Sequence, residues 1–207
     1  MRVLVVDYGM GNLASARRGF EEGGADARVS RDPADIAASD AVVVPGVGAF
    51  GQAMERLNEG GWSDALRAAA ADGKPIMGIC LGMQLLADHG TEFGDNPGLG
   101  LIPGTVRKIV PAPGERIPHV GWNAVTAANG DALFAGVPDA ADFYFVHSFR
   151  FEADEPGDVI ATTPYGADGA VTAAVRRGRV VGTQFHPEKS SRVGLQLIRN
   201  FLAEARG

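Results

Sequence analysis

The sequence predicts an α/β fold: a mainly parallel central sheet covered by helices on both faces, with an additional region of antiparallel strands. Three observations lead there. Short runs in the first half are apolar throughout rather than alternating, as strands buried on both faces must be. Between them, apolar residues recur at helical spacing. After about Gly90 the texture changes, with frequent glycine and proline between Gly94 and Gly121 and then a series of shorter strand-like runs.

The elements follow in order. Val3 to Val6 is the first strand. Leu13, Ala16 and Phe20 then mark one face of a helix, with Asn12 as its N-cap and Gly23-Gly24 as its stop. A second strand is expected at Ala27 to Val29 and a third at Ala41 to Val44. Trp62 to Ala71 reads as a helix ended by Asp72-Gly73. Pro75 to Ile79 is a fourth strand, and Leu81 to Ala87 a helix. Shorter strands are expected around Thr105 to Val110, Trp122 to Thr126, Phe143 to Val146 and Val159 to Thr163. Val171 to Val175 and Val180 to Phe185 flank Arg177-Gly178 and read as a hairpin. A last helix starts near Ser191, with Leu197, Ile198, Phe201 and Leu202 on its apolar face.

Composition bounds the possibilities. With 207 residues, 45% of them hydrophobic, the chain can bury a substantial core, and no linker or repeat divides it. One domain over residues 1–207 is expected. The net charge of -6 is spread without a basic block, which argues against nucleic acid as a partner. The opening MRVLVVD is too short an apolar run for a signal peptide, and no later run is long enough to span a bilayer. A soluble, cytoplasmic protein with no membrane partner is the expectation. A single cysteine provides neither an intrachain disulfide nor a cluster of thiolate metal ligands.

That cysteine lies in G78-I-C80-L-G82, directly after an apolar run. The spacing is that of a nucleophile elbow, in which flanking glycines let a strand turn sharply into a helix and the reactive residue project from the bend. At a helix N-terminus the free N–H groups and the dipole favour a thiolate, and the N–H of Leu81 becomes a donor for an oxyanion. On this pentapeptide alone, a buried and inert cysteine fits equally well.

A base is offered by V180-VGTQFHPE-188. If the segment stays extended, His186 and Glu188 point the same way, so the carboxylate can orient the ring while its other nitrogen serves Cys80. His89 sits at an expected helix end, and His119 and His147 lack an acidic residue two positions away. The glycine-rich V44-PGVGAFG-51 lacks both a P-loop lysine and dinucleotide spacing, but its backbone N–H groups can face a substrate carbonyl opposite Cys80.

PGVGAF, GICLGMQ and FHPEKS, in that order, resemble the class I glutamine amidotransferases. IPHVGWN, YFVHSF and the early DYGMGN are similar to the branch that serves histidine biosynthesis. The likeness runs from residue 3 to about 202 and implies the three-layer fold of that family. It implies that Cys80 attacks the side-chain amide of L-glutamine, that His186 shuttles the proton and that Glu188 orients it. The N–H groups of Leu81 and Gly48 would hold the oxyanion, the latter after a peptide rearrangement. Gln84 and Glu92 would recognise the amino-acid end of glutamine, and backbone groups of Ser148 and Phe149 its α-carboxylate. Phe149 stands where some relatives carry tyrosine, a change that a backbone role survives. No cofactor is implied. The implied partner is a (β/α)8-barrel cyclase that takes the ammonia and forms a heterodimer with the glutaminase. Asn12, His119, Trp122 and Lys189 would lie at or near that interface.

Other readings stay open at this point. Related glutaminases serve anthranilate, GMP, CTP, carbamoyl phosphate and pyridoxal phosphate synthesis. A non-catalytic module would have no need of Cys80, His186 and Glu188 together. A cysteine peptidase or thioesterase would need a groove or acyl pocket that no motif here identifies.

Overall fold

A computed structural model describes residues 1–128 and 130–206. The chain opens with strand β1 (Arg2–Val6), helix α1 (Leu13–Glu22), strand β2 (Asp26–Ser30) and strand β3 (Ala41–Gly46). Helices α2 (Phe50–Glu59) and α3 (Trp62–Ala71) precede strand β4 (Ile76–Cys80) and the single turn of α4 (Leu81–Gln84). The short strands β5 (His89–Gly90) and β6 (Asn96–Pro97) lead to β7 (Gly104–Lys108), β8 (His119–Ala127), β9 (Ala141–His147) and β10 (Phe149–Ala153). Strands β11 (Val159–Thr163), β12 (Val171–Arg177) and β13 (Val180–Thr183) come before the closing helix α5 (Ser191–Glu204).

Among the described residues, nine strands form one sheet in the order β2-β1-β3-β4-β13-β12-β11-β8-β9. The first five of that order run parallel. From β12 outward each strand is antiparallel to its neighbour. A smaller sheet, β10-β7-β5-β6, stands beside it. Period-two alternation splits the apolar strands between two cores. Val3, Val5 and Val43 face one way with Phe20, Leu197 and Phe201 of α1 and α5. Leu4, Val6, Val42 and Val44 face the other, with Phe50, Leu57, Trp62 and Leu66 of α2 and α3. Each such side chain contributes about 1.5–3 kcal/mol by burial. Helices on both faces of the sheet give three layers.

Several expectations needed correction. The helix expected over Leu81 to Ala87 stops at Gln84. Residues 99–102 explain why: their N–H groups bond the carbonyls of Leu85, Leu86 and Ala87, so these are not available to continue a helix. Helix α2 was not anticipated, although Phe50, Ala53, Met54 and Leu57 are buried at helical spacing. The strand expected over Thr105 to Val110 is shifted to Gly104–Lys108, and β10 was not anticipated. Asn12 caps α1 as expected, its Oδ1 accepting from the Ser15 N–H at 3.2 Å.

Candidate active site

Four parallel strands deliver the sequence motifs to one edge of the sheet. The segment after β1 carries Tyr8 and Met10, β3 runs into the PGVG loop, β4 ends at Cys80, and β13 leads through Gln184 to His186. Ligand sites of open α/β sheets form at this carboxyl edge. Register places Gly46 beside Cys80 on β3 and Thr183 beside Ile79 on β13.

The glycines around Cys80 are dictated by contact. A Cβ on Gly82 would run into the carbonyl oxygen of Val44, and one on Gly78 would lie 2.5 Å from the carbonyl oxygen of Gly82. Without side chains at both positions, α4 lies directly on the backbone of β3 and β4. The turn forces Cys80 to φ 56° and ψ -113°, a left-handed conformation that only glycine adopts without strain. Because α4 is one turn long, the helix dipole expected to act on the sulfur is limited to that turn.

Cys80 is 6% exposed and opens onto a cavity of about 300 Å³. Leu81, Gly48, Gln84, Glu92, Ser148, Phe149 and His186 line the same cavity. Nine of the sequence-selected residues therefore meet in or beside one space, counting Glu188 behind His186. The His186 Nδ1 lies 2.8 Å from the Glu188 Oε1, and the two side chains are 4% and 3% exposed. The contact is made by a turn at Pro187–Lys189 rather than by the extended segment expected. Bonds to the His186 carbonyl from the Lys189 N–H (3.0 Å) and the Ser190 hydroxyl (2.6 Å) tighten that turn. Helix α1 packs closely here: a Cβ on Gly19 would sit 2.8 Å from the Glu188 Cβ.

The electrostatics suit proton transfer. Burial opposes a charge on His186, but the Cys80 sulfur and the Glu188 carboxylate outweigh it and raise the imidazole to about 9. His186 Nε2 is buried and has no hydrogen-bond partner among the described residues, so a proton from the Cys80 thiol can be held there. The thiol itself points at the Val146 carbonyl oxygen, 3.7 Å away.

Glu92 Oε2 accepts from the Phe50 N–H at 2.8 Å and so also caps α2, which has no cap of its own. Gln84 is buried rather than surface-exposed, and its Nε2 donates to the Phe149 carbonyl at 3.1 Å. Trp122 is 54% exposed, Asn12 is exposed and Lys189 half-buried. His119 is 4% exposed, so its ring lies beneath the surface rather than on it. It is stacked on Phe145 and Tyr165, with its Nδ1 2.9 Å from the His147 Nε2. Burial holds both imidazoles down to about 4 and therefore neutral.

Sequence reasoning missed Gln184, His147 and Tyr8. Gln184 had a signal, two residues before His186 on the same outgoing strand. Tyr8 and His147 had none, since only the fold brings them here. The Tyr8 hydroxyl is buried without a partner among the described residues, and burial together with Cys80 raises its pKa.

Among the described residues, no helix is long and apolar enough to cross a membrane. Comparison with known proteins places this geometry. The family described as glutamine amidotransferase class-I matches residues 4–205. The chain is 47% identical to the imidazole glycerol phosphate synthase subunit HisH of Symbiobacterium thermophilum, over 97% of this chain and 92% of that protein. It is 47% identical to the protein of the same name from Rhodospirillum rubrum, over 98% of each. Among solved structures, a glutamine amidotransferase superposes with a TM-score of 0.77 at 22% identity, covering 99% of both chains. PurLQS from Thermotoga maritima also gives 0.77, at 21% identity and 98% of both. At that identity the structural likeness speaks for the fold alone.

Proposed function

The chain belongs to the class-I glutamine amidotransferase family, and from that premise we propose that it is the glutaminase subunit of an imidazole glycerol phosphate synthase, acting as one domain over residues 1–207. The observation that carries the reading is the meeting of Cys80, the His186–Glu188 pair and Gln84 around one cavity.

L-Glutamine enters with its side-chain amide at Cys80. His186 Nε2 takes the thiol proton, and the sulfur attacks the amide carbon. The developing oxyanion is held by the N–H groups of Leu81 and Gly48. Gly48 has φ 99° in this structure, a conformation from which its peptide can turn at little cost. The imidazolium returns the proton to the departing nitrogen, which leaves as ammonia. Water, activated by the same ring, then cleaves the glutamyl thioester. Glu188 keeps the ring oriented and supports its charge. Gln84 and Glu92 take the α-ammonium group of the substrate, and the backbone at Ser148 and Phe149 its carboxylate.

The ammonia passes to a (β/α)8-barrel cyclase of the histidine pathway. Exposed Trp122, Val120 and Val146 form the apolar part of the docking face, with Asn12 and Lys189 among its polar members. His119 supports that face from beneath.

The test is glutamate release from glutamine by the chain alone and with the cyclase and its ribulosyl ligand, with Cys80→Ala as control. Release that rises in the complex and vanishes in the variant is expected. A well-folded complex that releases no glutamate would sink the reading.

A further inference from the structure

We infer that the side-chain amide of Gln184 is a further working part of this site: its N–H donates to the Cys80 sulfur, and its oxygen fixes which end of the Gln84 amide faces the substrate. The inference rests on the glutaminase reading for the identity of the substrate, though not for the effect on the sulfur.

Placement comes first. Register along β13 and β4 puts Thr183 opposite Ile79, so the next residues, Gln184 and Cys80, are neighbours across the sheet. Gln184 is fully buried, its backbone N–H held by the Ala173 carbonyl at 2.8 Å. Burying an amide is costly unless its hydrogen bonds are made, and an apolar side chain of similar length would fill the space without that cost. Its partners therefore say what it is for. Its Oε1 accepts from the Gln84 Nε2 at 2.9 Å, and its Nε2 donates to the Cys80 Sγ at 3.8 Å. Both are members of the cavity, not scaffold backbone.

The direction of these bonds is set by one unambiguous group. The Phe149 carbonyl can only accept, so Gln84 must turn its NH₂ toward it. The second N–H of Gln84 meets the Gln184 oxygen, which leaves the Gln184 NH₂ facing the sulfur. Both hydrogens of Gln84 are then used, while its Oε1 has no hydrogen-bond partner among the described residues. An oxygen presented to the cavity accepts from an ammonium group, whereas a reversed amide would repel it. The Phe149 carbonyl is also held by the His147 Nδ1 at 2.8 Å. A single chain of donors therefore sets both the recognition oxygen and the donor at the nucleophile.

With its proton on sulfur, Cys80 directs it at the Val146 carbonyl oxygen. Once it moves to His186 Nε2, the Gln184 N–H is a donor in place at the thiolate. When the C–S bond forms, the sulfur loses its charge and the interaction weakens. Gln184 thus favours formation of the nucleophile and, through Gln84, substrate binding.

Two variants separate these effects. Gln184→Met is nearly isosteric and removes both contacts. Gln184→Glu keeps an oxygen for Gln84 but sets a carboxylate beside the sulfur. Cys80 is the only cysteine, so alkylation by iodoacetamide reports on it alone. Alkylation rate against pH is measured on the full chain, and kcat and KM for glutamine on its complex with the cyclase. Both variants should lower the alkylation rate at pH 7 by about ten- to a hundredfold, the worth of a hydrogen bond to a charged group, and move its midpoint upward. KM should rise for the Met variant and stay near wild type for the Glu variant. If the Glu variant does not fold, the Met variant still decides. Alkylation profiles that superimpose on wild type, in a folded variant, would overturn the inference, even if kcat falls. If the wild-type complex releases no glutamate, the glutaminase reading fails while the alkylation comparison still judges Gln184.

Discussion

His186 and Glu188 form a closed pair, Nδ1 to Oε1 at 2.8 Å, that leaves His186 Nε2 buried beside Cys80 with no partner among the described residues. The chain spends a buried carboxylate to keep one imidazole oriented. Replacing Glu188 by Gln keeps an acceptor but removes the charge that supports the imidazolium. We expect kcat to fall by about ten- to a hundredfold, the scale of one charge-assisted hydrogen bond, with KM for glutamine little changed. Steady-state kinetics of the complex check this.

The same pair predicts how stability follows pH. His186 is raised from 6.5 to about 9, so its stabilising contribution is complete below pH 6.5 and lost as pH rises through 9. His119 and His147 are lowered from 6.5 to about 4, so the unfolded chain takes up their protons first and stability falls between pH 6.5 and 4. Melting temperature should peak near neutrality. His186→Gln should flatten the alkaline limb and leave the acid limb in place; an alkaline limb as steep as wild type would contradict this.

Gly82 and Gly78 predict an outcome by collision. A methyl on Gly82 meets the Val44 carbonyl, and one on Gly78 the Gly82 carbonyl, neither of which can swing aside as a side chain would. Each Gly→Ala substitution should cost about 3 kcal/mol or more. Gly157 is the control, since nothing lies within 4 Å of its added Cβ. Urea unfolding of the three variants provides the comparison, and equal midpoints would refute it.

Strain at Cys80 predicts a reversal of the usual ranking. A non-glycine residue at φ 56° and ψ -113° stores about 1–3 kcal/mol. Cys80→Gly should therefore melt above Cys80→Ala, although glycine ordinarily destabilises by about 0.5–1 kcal/mol. Calorimetry of the two inactive variants decides.

Trp122 predicts a separation of folding from docking. It is 54% exposed and touches Tyr144 edge-on at 6.0 Å, so truncation removes little of the core. Trp122→Ala should leave the melting temperature of the chain unchanged. It should weaken cyclase binding by about 2 kcal/mol, as the loss of a central aromatic anchor does. Titration calorimetry would show whether the affinity moves.

Much of this was legible in the residues before any coordinates. The apolar runs Val3–Val6, Ala41–Val44 and Ile76–Ile79 reported a sheet covered on both faces because a strand buried twice has no polar side to show. Gly78, Cys80 and Gly82 reported a sharp turn because only small residues fit where a helix lies on a strand's backbone. His186 and Glu188 could be paired because they are two residues apart, within reach whether the link is extended or a turn. The limits were equally physical. The helix after Cys80 looked longer because propensity is local, whereas the carbonyls of residues 85–87 are captured by residues 99–102. His119 and His147 showed no link in sequence, and only the pairing of β8 with β9 set their rings together. Local spacing thus determined the elbow, the base and its orienter. The register between β4 and β13, which sets Gln184 against both Cys80 and Gln84, was decided only when strands 104 residues apart in the chain paired. Hydrogen bonds between remote segments leave no period in a sequence, so only the folded chain could reveal them.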